Sequence, residues 1–305
     1  VWCRCQLGTG AGAINVDYKT RTVEIEGITL KEGDFISLNG TTGEVYKGKV
    51  ETKAAEVSGD FAALMDLCNK YTKLNVRTNA DTPHDAEVAR AFGASGIGLC
   101  RTEHMFFDAE KIVAMREMIL SPDVEGRRKA LAKLLPFQKA DFKGIFKAMD
   151  GCPVNVRLLD PPLHEFVPHD AKGQEEMAKA MGVTVQEIKK RVESLCEHNP
   201  MLGHRGCRLG NTYPEITEMQ TQAILGAAIE LKKEGYDPHP EIMVPLTGIL
   251  YEFEAQEKVI RDAAAALFEK EGMEIPFKVG TMIEIPRAAL TANRIASRAE
   301  YFSFG

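Results

Sequence analysis

Residues 93–107, GASGIGLCRTEHMFF, combine a run typical of a buried strand with a cluster of charged and polar side chains. The four residues over 97–100, IGLC, predict a strand inside a sheet, and Arg101 follows them directly. A buried guanidinium group without a partner is costly, because the protein interior solvates charge poorly. We therefore expect Arg101 to face an anion at the end of its strand.

Six further segments have a strand pattern, and helical patterns lie between most of them. The seven predicted strands are LNVRTNA (74–80), GIGLCR (96–101), VNVRLLD (154–160), HRGCRL (204–209), EIMVPL (241–246), KVGTMIEIP (278–286) and YFSFG (301–305). Such alternation is typical of parallel strands joined by right-handed crossovers. We favour a (β/α)8-type TIM barrel over a doubly wound open sheet, because no glycine-rich nucleotide turn follows any strand. The predicted fold class is α/β, with the barrel truncated after strand seven.

Helix starts are marked by capping residues. Thr82 before Pro83 predicts one start, and Thr184 with Glu187 forms a capping box that predicts another. Pro214 is expected to open a helix that runs to about residue 233.

Residues 12–50 differ from the rest because they are rich in short strand patterns. Strands are predicted over 14–18, 22–26, 35–38 and 44–47, with turn residues between them. Four short strands without a matching helix bury too little apolar surface to form a stable domain alone. Helical spacing then predicts a linker over 51–73.

The overall composition excludes some classes of protein. The 305 residues include 38 Lys and Arg against 44 Asp and Glu, giving a net charge of −6, which argues against a general nucleic-acid-binding protein. The sequence predicts no membrane span, and its first residues lack the pattern of a secretory signal. Seven scattered cysteines predict reduced thiols in an intracellular compartment. Cys3 and Cys5 alone are weak evidence for zinc, and Cys100 and Cys207 are expected to be packing residues.

Charged residues follow several predicted strands, at the edge where a βα barrel carries its active site. In chain order they are Arg77 with Asn79, Arg101, Arg157 with Asp160, Arg205 with Arg208, and Glu284. Arginines from four strands would concentrate positive potential and accept a phosphate and a carboxylate in bidentate fashion. A Mg²⁺ ion shared with substrate oxygens would explain Glu284 in such surroundings. For each arginine taken alone, a salt bridge to a neighbouring loop is the simpler alternative.

The residues that follow the second and third predicted strands leave alternatives open. Glu103 is expected to be the local partner of an arginine rather than a catalytic acid. His104 is expected either to orient a phosphate oxygen or to bond a backbone group. Asp160, His164 and Glu165 lie in a proline-containing loop that is a candidate lid.

Several segments resemble the phosphoenolpyruvate-utilising enzymes. They are GIGLCRTEH (96–104), NPMLGHRGCRL (199–209), PEIMVPL (240–246) and GTMIEIPRAAL (280–290). Three more segments resemble the dikinase branch of that family: VRLLDPPLHEFVPH (156–169), NADTP (79–83) and LNGTTGEVYKG (38–48). The resemblance runs from about residue 12 to the end, whereas residues 1–11 depart from the family's usual sequence.

The resemblance implies roles for five residues. Arg101 and Arg157 would bind phosphoenolpyruvate, Arg205 would join them around the phosphoryl group, and Glu284 would be a Mg²⁺ ligand and substrate contact. Gly305 matches the first residue of a family run, Gly-Thr-Asn-Asp, whose later members contact substrate and metal. The family's phosphorylated histidine and proton-donating cysteine match no residue here, so no catalytic residue is expected in this chain.

The same resemblance implies a domain organisation and a reaction. Residues 1–50 would be the C-terminal remnant of a swivelling phosphohistidine domain, 51–73 the linker, and 74–305 an incomplete barrel. The reaction would interconvert phosphoenolpyruvate and pyruvate through the phosphohistidine, with ATP, AMP, phosphate and pyrophosphate as the other reactants. ATP would bind a domain absent here, and the enzyme would be a homodimer. The implied location is the cytoplasm, with plastid and glycosome as alternatives.

Two alternative functions remain open. One is a non-catalytic fragment that keeps only binding and dimerisation surfaces, and the chain alone is expected to be inactive. The other is a phosphoenolpyruvate synthase or enzyme I of the sugar phosphotransferase system, which perform the same chemistry with another phosphate acceptor.

Overall fold

The computed structural model describes residues 14–18, 20–25, 27–52, 58–121, 123–168, 170–197, 199 and 201–305. The chain divides into two compact units, Val1–Ala63 and Leu64–Gly305, and the boundary lies within helix α1, Gly59–Tyr71. None of the described helices is long and apolar enough to cross a membrane.

The first unit contains two small antiparallel sheets of four-residue strands. One sheet comprises β1 (Ile14–Asp17), β2 (Thr22–Ile25) and β3 (Ile28–Lys31), and the other β4 (Ile36–Asn39) and β5 (Glu44–Lys47). The predicted strands are present, and β3 is one that the sequence analysis missed. Among the described residues of this unit, Leu30 is the one buried apolar side chain. The two sheets therefore gain little hydrophobic stabilisation of their own.

The second unit is built on a six-stranded parallel sheet whose strands lie in chain order. They are β6 (Thr78–Asn79), β7 (Ile97–Arg101), β8 (Pro153–Arg157), β9 (His239–Val244), β10 (Lys278–Ile283) and β11 (Phe302–Phe304). Consecutive strands are hydrogen-bonded neighbours, which leaves β6 and β11 as the two edges. The sheet is an open half-barrel, consistent with a truncated βα barrel.

The predicted strand over 204–209 is wrong, because the chain turns there into helix α7, Gly206–Thr212. The segment HRGCRL has no β-branched side chain, and Gly206 has a φ of +56°, which ends any extended backbone. The Gly206 amide donates to the carbonyl of Asp160, so the segment crosses the end of β8 instead of joining the sheet. As a result β8 pairs directly with β9, and the described sheet ends on its sixth strand rather than its seventh.

Helices of very different length connect the strands. They are α2 (Pro83–Ala91), α3 (Ala109–Leu120), α4 (Val124–Ala148), α5 (Ala171–Met181), α6 (Val185–Leu195), α8 (Pro214–Lys233), α9 (Leu250–Glu271), α10 (Pro286–Leu290) and α11 (Ala292–Ile295), with 3-10 helices at Thr102–Phe106 and Leu163–Phe166. Thr82 caps α2 by accepting a hydrogen bond from the Asp85 amide, and Thr184 forms the predicted capping box with Glu187. These predicted helix starts are confirmed.

The main core lies between the sheet and the long helices α4, α8 and α9. Four strands each contribute a fully buried aliphatic residue to it: Ile97, Val154, Ile242 and Val279. A second buried cluster contains Phe106 and Phe166, one from each 3-10 helix, together with side chains of α3 to α6. The segments that follow β7 and β8 are therefore packed in place, and so are the polar side chains that they carry.

Candidate functional site at the carboxyl edge of the sheet

The carboxyl edge of the sheet carries all five residues to which the sequence analysis gave a ligand-binding role. Arg101 and Arg157 are the last residues of β7 and β8, and their Cα atoms are partners in the parallel ladder. Glu284 directly follows β10, and Gly305 directly follows β11. Arg205 is the N-cap residue of α7, whose first turn lies across the end of β8.

Arg157 and Arg205 are joined by a buried network of two carboxylates. Nη2 of Arg157 contacts Oε1 of Glu103, and Nη1 of Arg157 lies 3.1 Å from Oδ2 of Asp160. The same Oδ2 atom lies 2.7 Å from Nη2 of Arg205, whose Nε also donates to the Asp160 carbonyl at 3.2 Å. The most exposed of these four side chains is Arg205, at 16%. Charged groups this well buried are retained only when they are paired.

Arg101 is held by a different carboxylate, that of Asp81 after β6. Oδ1 of Asp81 accepts a hydrogen bond of 2.6 Å from the Arg101 amide, and Oδ2 lies 3.7 Å from Nη1 of Arg101. Nδ1 of His104 is 2.7 Å from the same Oδ2, so His104 bonds a carboxylate rather than a backbone group. The sequence analysis missed Asp81, although its place between a strand and the cap residue Thr82 puts it at the carboxyl edge of the sheet.

Glu284 is positioned by a backbone amide two residues after the neighbouring strand β9. Its Oε1 accepts a 2.8 Å hydrogen bond from the amide of Leu246, a residue with the unusual φ of +59°. Burial raises the pKa of Glu284, and the nearby Asp160 carboxylate adds to this rise, whereas the Leu246 amide and the arginines oppose it. Gly305 packs closely, since a Cβ atom on it would lie 2.9 Å from the Cβ of Glu284.

Four buried polar atoms at this edge have no hydrogen-bond partner among the described residues. They are Oγ1 of Thr102, Oε2 of Glu103, Nε of Arg157 and Oδ1 of Asp160. Native proteins rarely leave buried polar atoms unpaired, and most exceptions are completed by water, an ion or a ligand. Their concentration around Arg157 therefore identifies this edge as a place where a polar ligand or ordered water completes the structure.

The charge balance at this edge differs from the expected cationic ring. Three arginines are outnumbered by four carboxylates, those of Asp81, Glu103, Asp160 and Glu284. The physical reason is that a buried guanidinium group needs a carboxylate partner even before a ligand arrives. Glu284 is the carboxylate of this set for which the described residues provide no arginine within ion-pair distance.

Arg77 does not lie at this edge, so its predicted place there is wrong. It precedes β6 and forms an ion pair with Glu241, with N–O distances of 2.6 and 3.4 Å. Together they line a cleft of about 360 Å³ with residues that begin the strands, including Pro153 and Lys278. The first strand starts later than the sequence pattern indicates, and an arginine before a strand lies at the amino edge.

The remaining candidates have structural contacts. Arg208 donates to the carbonyl of Gly203 at 3.0 Å and so closes its own loop. The loop considered as a lid is packed into the second core cluster through Leu163 and Phe166. No group of three or more metal-ligating side chains occurs within the described ranges, and Cys3 and Cys5 lie outside them.

The thiols near the site are buried packing groups, as the sequence analysis expected. Cys207 donates from Sγ to the Leu246 carbonyl at 3.2 Å, and burial raises the pKa of Cys207 to about 12. Burial also raises the pKa of Cys100. Neither thiol is in the reactive thiolate form near neutral pH.

Comparison with known proteins gives a consistent result. Residues 55–305 match the family model of the PEP-utilising enzymes, specifically the PEP-binding domain. The pyruvate, phosphate dikinase of Clostridium symbiosum is 54% identical over 298 residues, which covers 97% of this chain and 34% of that protein. The Giardia intestinalis dikinase is 55% identical over 296 residues, with coverages of 97% and 34%.

A chloroplastic dikinase of Oryza sativa subsp. japonica is 52% identical over 307 residues, covering 100% of this chain and 32% of that protein. The chain thus spans about a third of the length of the curated relatives it matches. The family model covers most of the chain, including every strand of the parallel sheet. On this evidence the chain belongs to the PEP-utilising enzymes.

Proposed function

We propose that this chain carries the phosphoenolpyruvate and pyruvate site of a pyruvate, phosphate dikinase. In this reaction a phosphoryl group moves between phosphoenolpyruvate and a histidine of another domain, with ATP, AMP, phosphate and pyrophosphate as the other reactants. The observation that carries the proposal is the group of unpaired buried atoms around Arg157, at the edge where the arginines and Glu284 meet. The similarity to curated dikinases supports the choice of reaction.

The arginines are proposed to bind the substrate. Arg101 and Arg157, on neighbouring strands, would hold phosphoenolpyruvate, and Arg205 would contact its phosphoryl group. Fixed guanidinium groups suit this task, because phosphoryl transfer needs mainly positioning and neutralisation of the transferred oxygens. Gly305 would leave room beside Glu284 that a side chain would fill.

Glu284 is proposed to hold Mg²⁺, and its environment fits the ion. One oxygen is fixed by the Leu246 amide, and no hydrogen bond from the described residues occupies the other. Mg²⁺ is commonly bound by one or two carboxylates and completes its coordination with water and substrate oxygens. The excess of carboxylates over arginines also calls for an added cation before an anion can bind. When bound, the ion would neutralise charge on the phosphoryl and enolate oxygens.

The domain roles follow from the same proposal. Residues 1–50 would be the end of a phosphohistidine domain, 51–73 a linker, and 74–305 part of the substrate-binding barrel. ATP would bind a further domain, and the enzyme would work as a homodimer. The proposed location is the cytoplasm, with plastid and glycosome as alternatives, and the relatives include both a chloroplastic and a bacterial enzyme.

An exchange experiment tests the proposed activity. This chain would replace the matching third of the Clostridium symbiosum dikinase, and pyruvate formation from phosphoenolpyruvate would be measured. We expect activity in the chimaera, loss of at least a hundredfold in R101A and R157A, and near-normal rates in the control R77A. Full activity in R101A or R157A would refute the proposed site. A folded chimaera that binds phosphoenolpyruvate without turnover would support the non-catalytic alternative.

A further inference from the structure

We propose that Glu103 is a positioning residue that fixes the guanidinium group of Arg157 for anion binding. The identity of the anion rests on the proposed function, but the positioning itself follows from geometry. Glu103 lies in the 3-10 helix after β7, one strand away from Arg157, and its carboxylate contacts Nη2 of Arg157 directly.

Two carboxylates hold Arg157 from two sides. Glu103 occupies Nη2, while Asp160 occupies Nη1 at 3.1 Å, so rotation of the planar group about its bonds is blocked. The third guanidinium nitrogen, Nε, is buried and has no hydrogen-bond partner among the described residues. Nε is therefore the donor of Arg157 that the described residues leave without an acceptor, and a ligand or ordered water that reached it would complete its hydrogen bonding.

Glu103 itself is built into the core rather than placed at the surface. Its side chain is 7% exposed, and its neighbours Thr102, Met105 and Phe106 are all buried. Its second oxygen, Oε2, is buried and unpaired within the described part of the chain, as is the hydroxyl of Thr102. A carboxylate that served only to neutralise Arg157 would be expected to use both oxygens, as buried carboxylates elsewhere do.

The ion pair of Arg77 and Glu241 at the opposite edge supplies the comparison. Glu241 is as buried as Glu103, with 8% of its side chain exposed, and both of its oxygens contact Arg77. Neither residue of that pair has a buried unpaired atom within the described ranges. The two glutamates are equally buried, but Arg77 is 35% exposed whereas Arg157 is 11% exposed. Of the two pairs, the more buried one leaves polar atoms unpaired within the described residues.

The test compares E103Q with the matched control E241Q in the 305-residue chain. The readouts are the NMR signal of the Arg157 Nε–H group, assigned by its loss in R157K, and the dissociation constant for phosphoenolpyruvate with Mg²⁺. We expect E103Q to shift or broaden the Arg157 signal and to weaken binding about tenfold to a hundredfold, as loss of an orienting partner typically does. E241Q should leave the Arg157 signal and the dissociation constant unchanged. Both variants should lower the thermal stability, because each weakens an ion pair.

The outcomes separate this inference from the proposed function. An Arg157 signal that is the same in E103Q and wild type would overturn the positioning role, whatever ligand binds. A second outcome is that the Arg157 signal changes in E103Q although phosphoenolpyruvate does not shift it in the wild-type chain. That result would support the positioning role and refute the proposed ligand. If E103Q does not fold, E103D serves instead, because it keeps the charge and withdraws the oxygens by about one bond length, ~1.5 Å.

Discussion

The two ends of the parallel sheet contain the same chemical groups in different arrangements. At the amino end, Arg77 contacts both carboxylate oxygens of Glu241, and Lys278 lies 4.0 Å from one of them. At the carboxyl end, Asp160 is shared between Arg157 and Arg205, and several buried atoms around it stay unpaired. A buried ion pair is therefore weak evidence for a ligand site, whereas a buried network with unpaired atoms is stronger evidence.

The sharpest way to break this comparison is to remove one arginine from each end. We expect R157A to abolish phosphoenolpyruvate binding and to lower the free energy of unfolding by about 3–5 kcal/mol, because the buried Glu103 loses its arginine and Asp160 keeps only Arg205. R77A should cost about 1–3 kcal/mol and leave binding intact, since Glu241 keeps Lys278 at 4.0 Å. Calorimetry and urea unfolding measure the two effects. Equal loss of binding in both variants would contradict the assignment of the site to one end.

Removal of Mg²⁺ tests whether the excess of carboxylates at the carboxyl end needs a bound cation. Carboxylates outnumber arginines at the carboxyl end, so we expect chelation of Mg²⁺ to weaken phosphoenolpyruvate binding by about a hundredfold, equivalent to about 2.8 kcal/mol. E284Q should reproduce this loss in the presence of Mg²⁺, whereas E269Q, an exposed change on α9, should not. Calorimetric titrations with and without a chelator provide the measurement. Unchanged affinity without the metal would show that the arginines suffice alone.

Much of the fold was predictable because its signals are local. Thr82 and Thr184 cap helices through residues three positions away, and strand patterns at Ile97, Val154 and Ile242 reflect burial of each strand. The strand predicted over 204–209 failed because Gly206 turns the chain there and its amide bonds to Asp160, a contact that the adjacent sequence does not reveal. Tertiary contacts decided that segment, and no local pattern carried them.

The candidate site was predictable in its residue types more than in its pairing. The strand-end rule correctly placed Arg101, Arg157 and Glu284 at one edge, and Glu103 was correctly expected to pair with an arginine. The partner is Arg157, 54 positions away, rather than the adjacent Arg101. Asp81 was missed for the same reason, since its bonds reach Arg101 at the end of the neighbouring strand, 20 positions away in the sequence.

A smaller effect is expected from the carboxylate that holds Arg101. D81N keeps an acceptor for the Arg101 amide but removes the charge that faces both the guanidinium group and His104. We expect phosphoenolpyruvate binding to weaken about fivefold, which corresponds to about 1 kcal/mol. The control is D85N, an exposed aspartate in the first turn of α2. Identical dissociation constants for D81N and wild type would remove Asp81 from the site.

The smallest effect concerns the pH dependence of stability. Because burial raises the pKa of Glu284, its contribution to stability is present at low pH and is lost as the pH rises through the raised value. E284Q cannot ionise, so its free energy of unfolding relative to wild type should increase as the pH rises from about 4 to about 8. Urea unfolding in metal-free buffer measures this difference, with E269Q as the control. A difference that stays constant with pH would contradict the environment described for Glu284.

The most direct test is to follow the arginine Nε–H signals by NMR while phosphoenolpyruvate and Mg²⁺ are added to the chain. Signals of Arg101, Arg157 and Arg205 are expected to shift together, with one dissociation constant, while that of Arg77 stays in place. A shift of Arg77, or a titration in which Arg157 does not respond, would contradict the proposal that the carboxyl end of the sheet binds phosphoenolpyruvate.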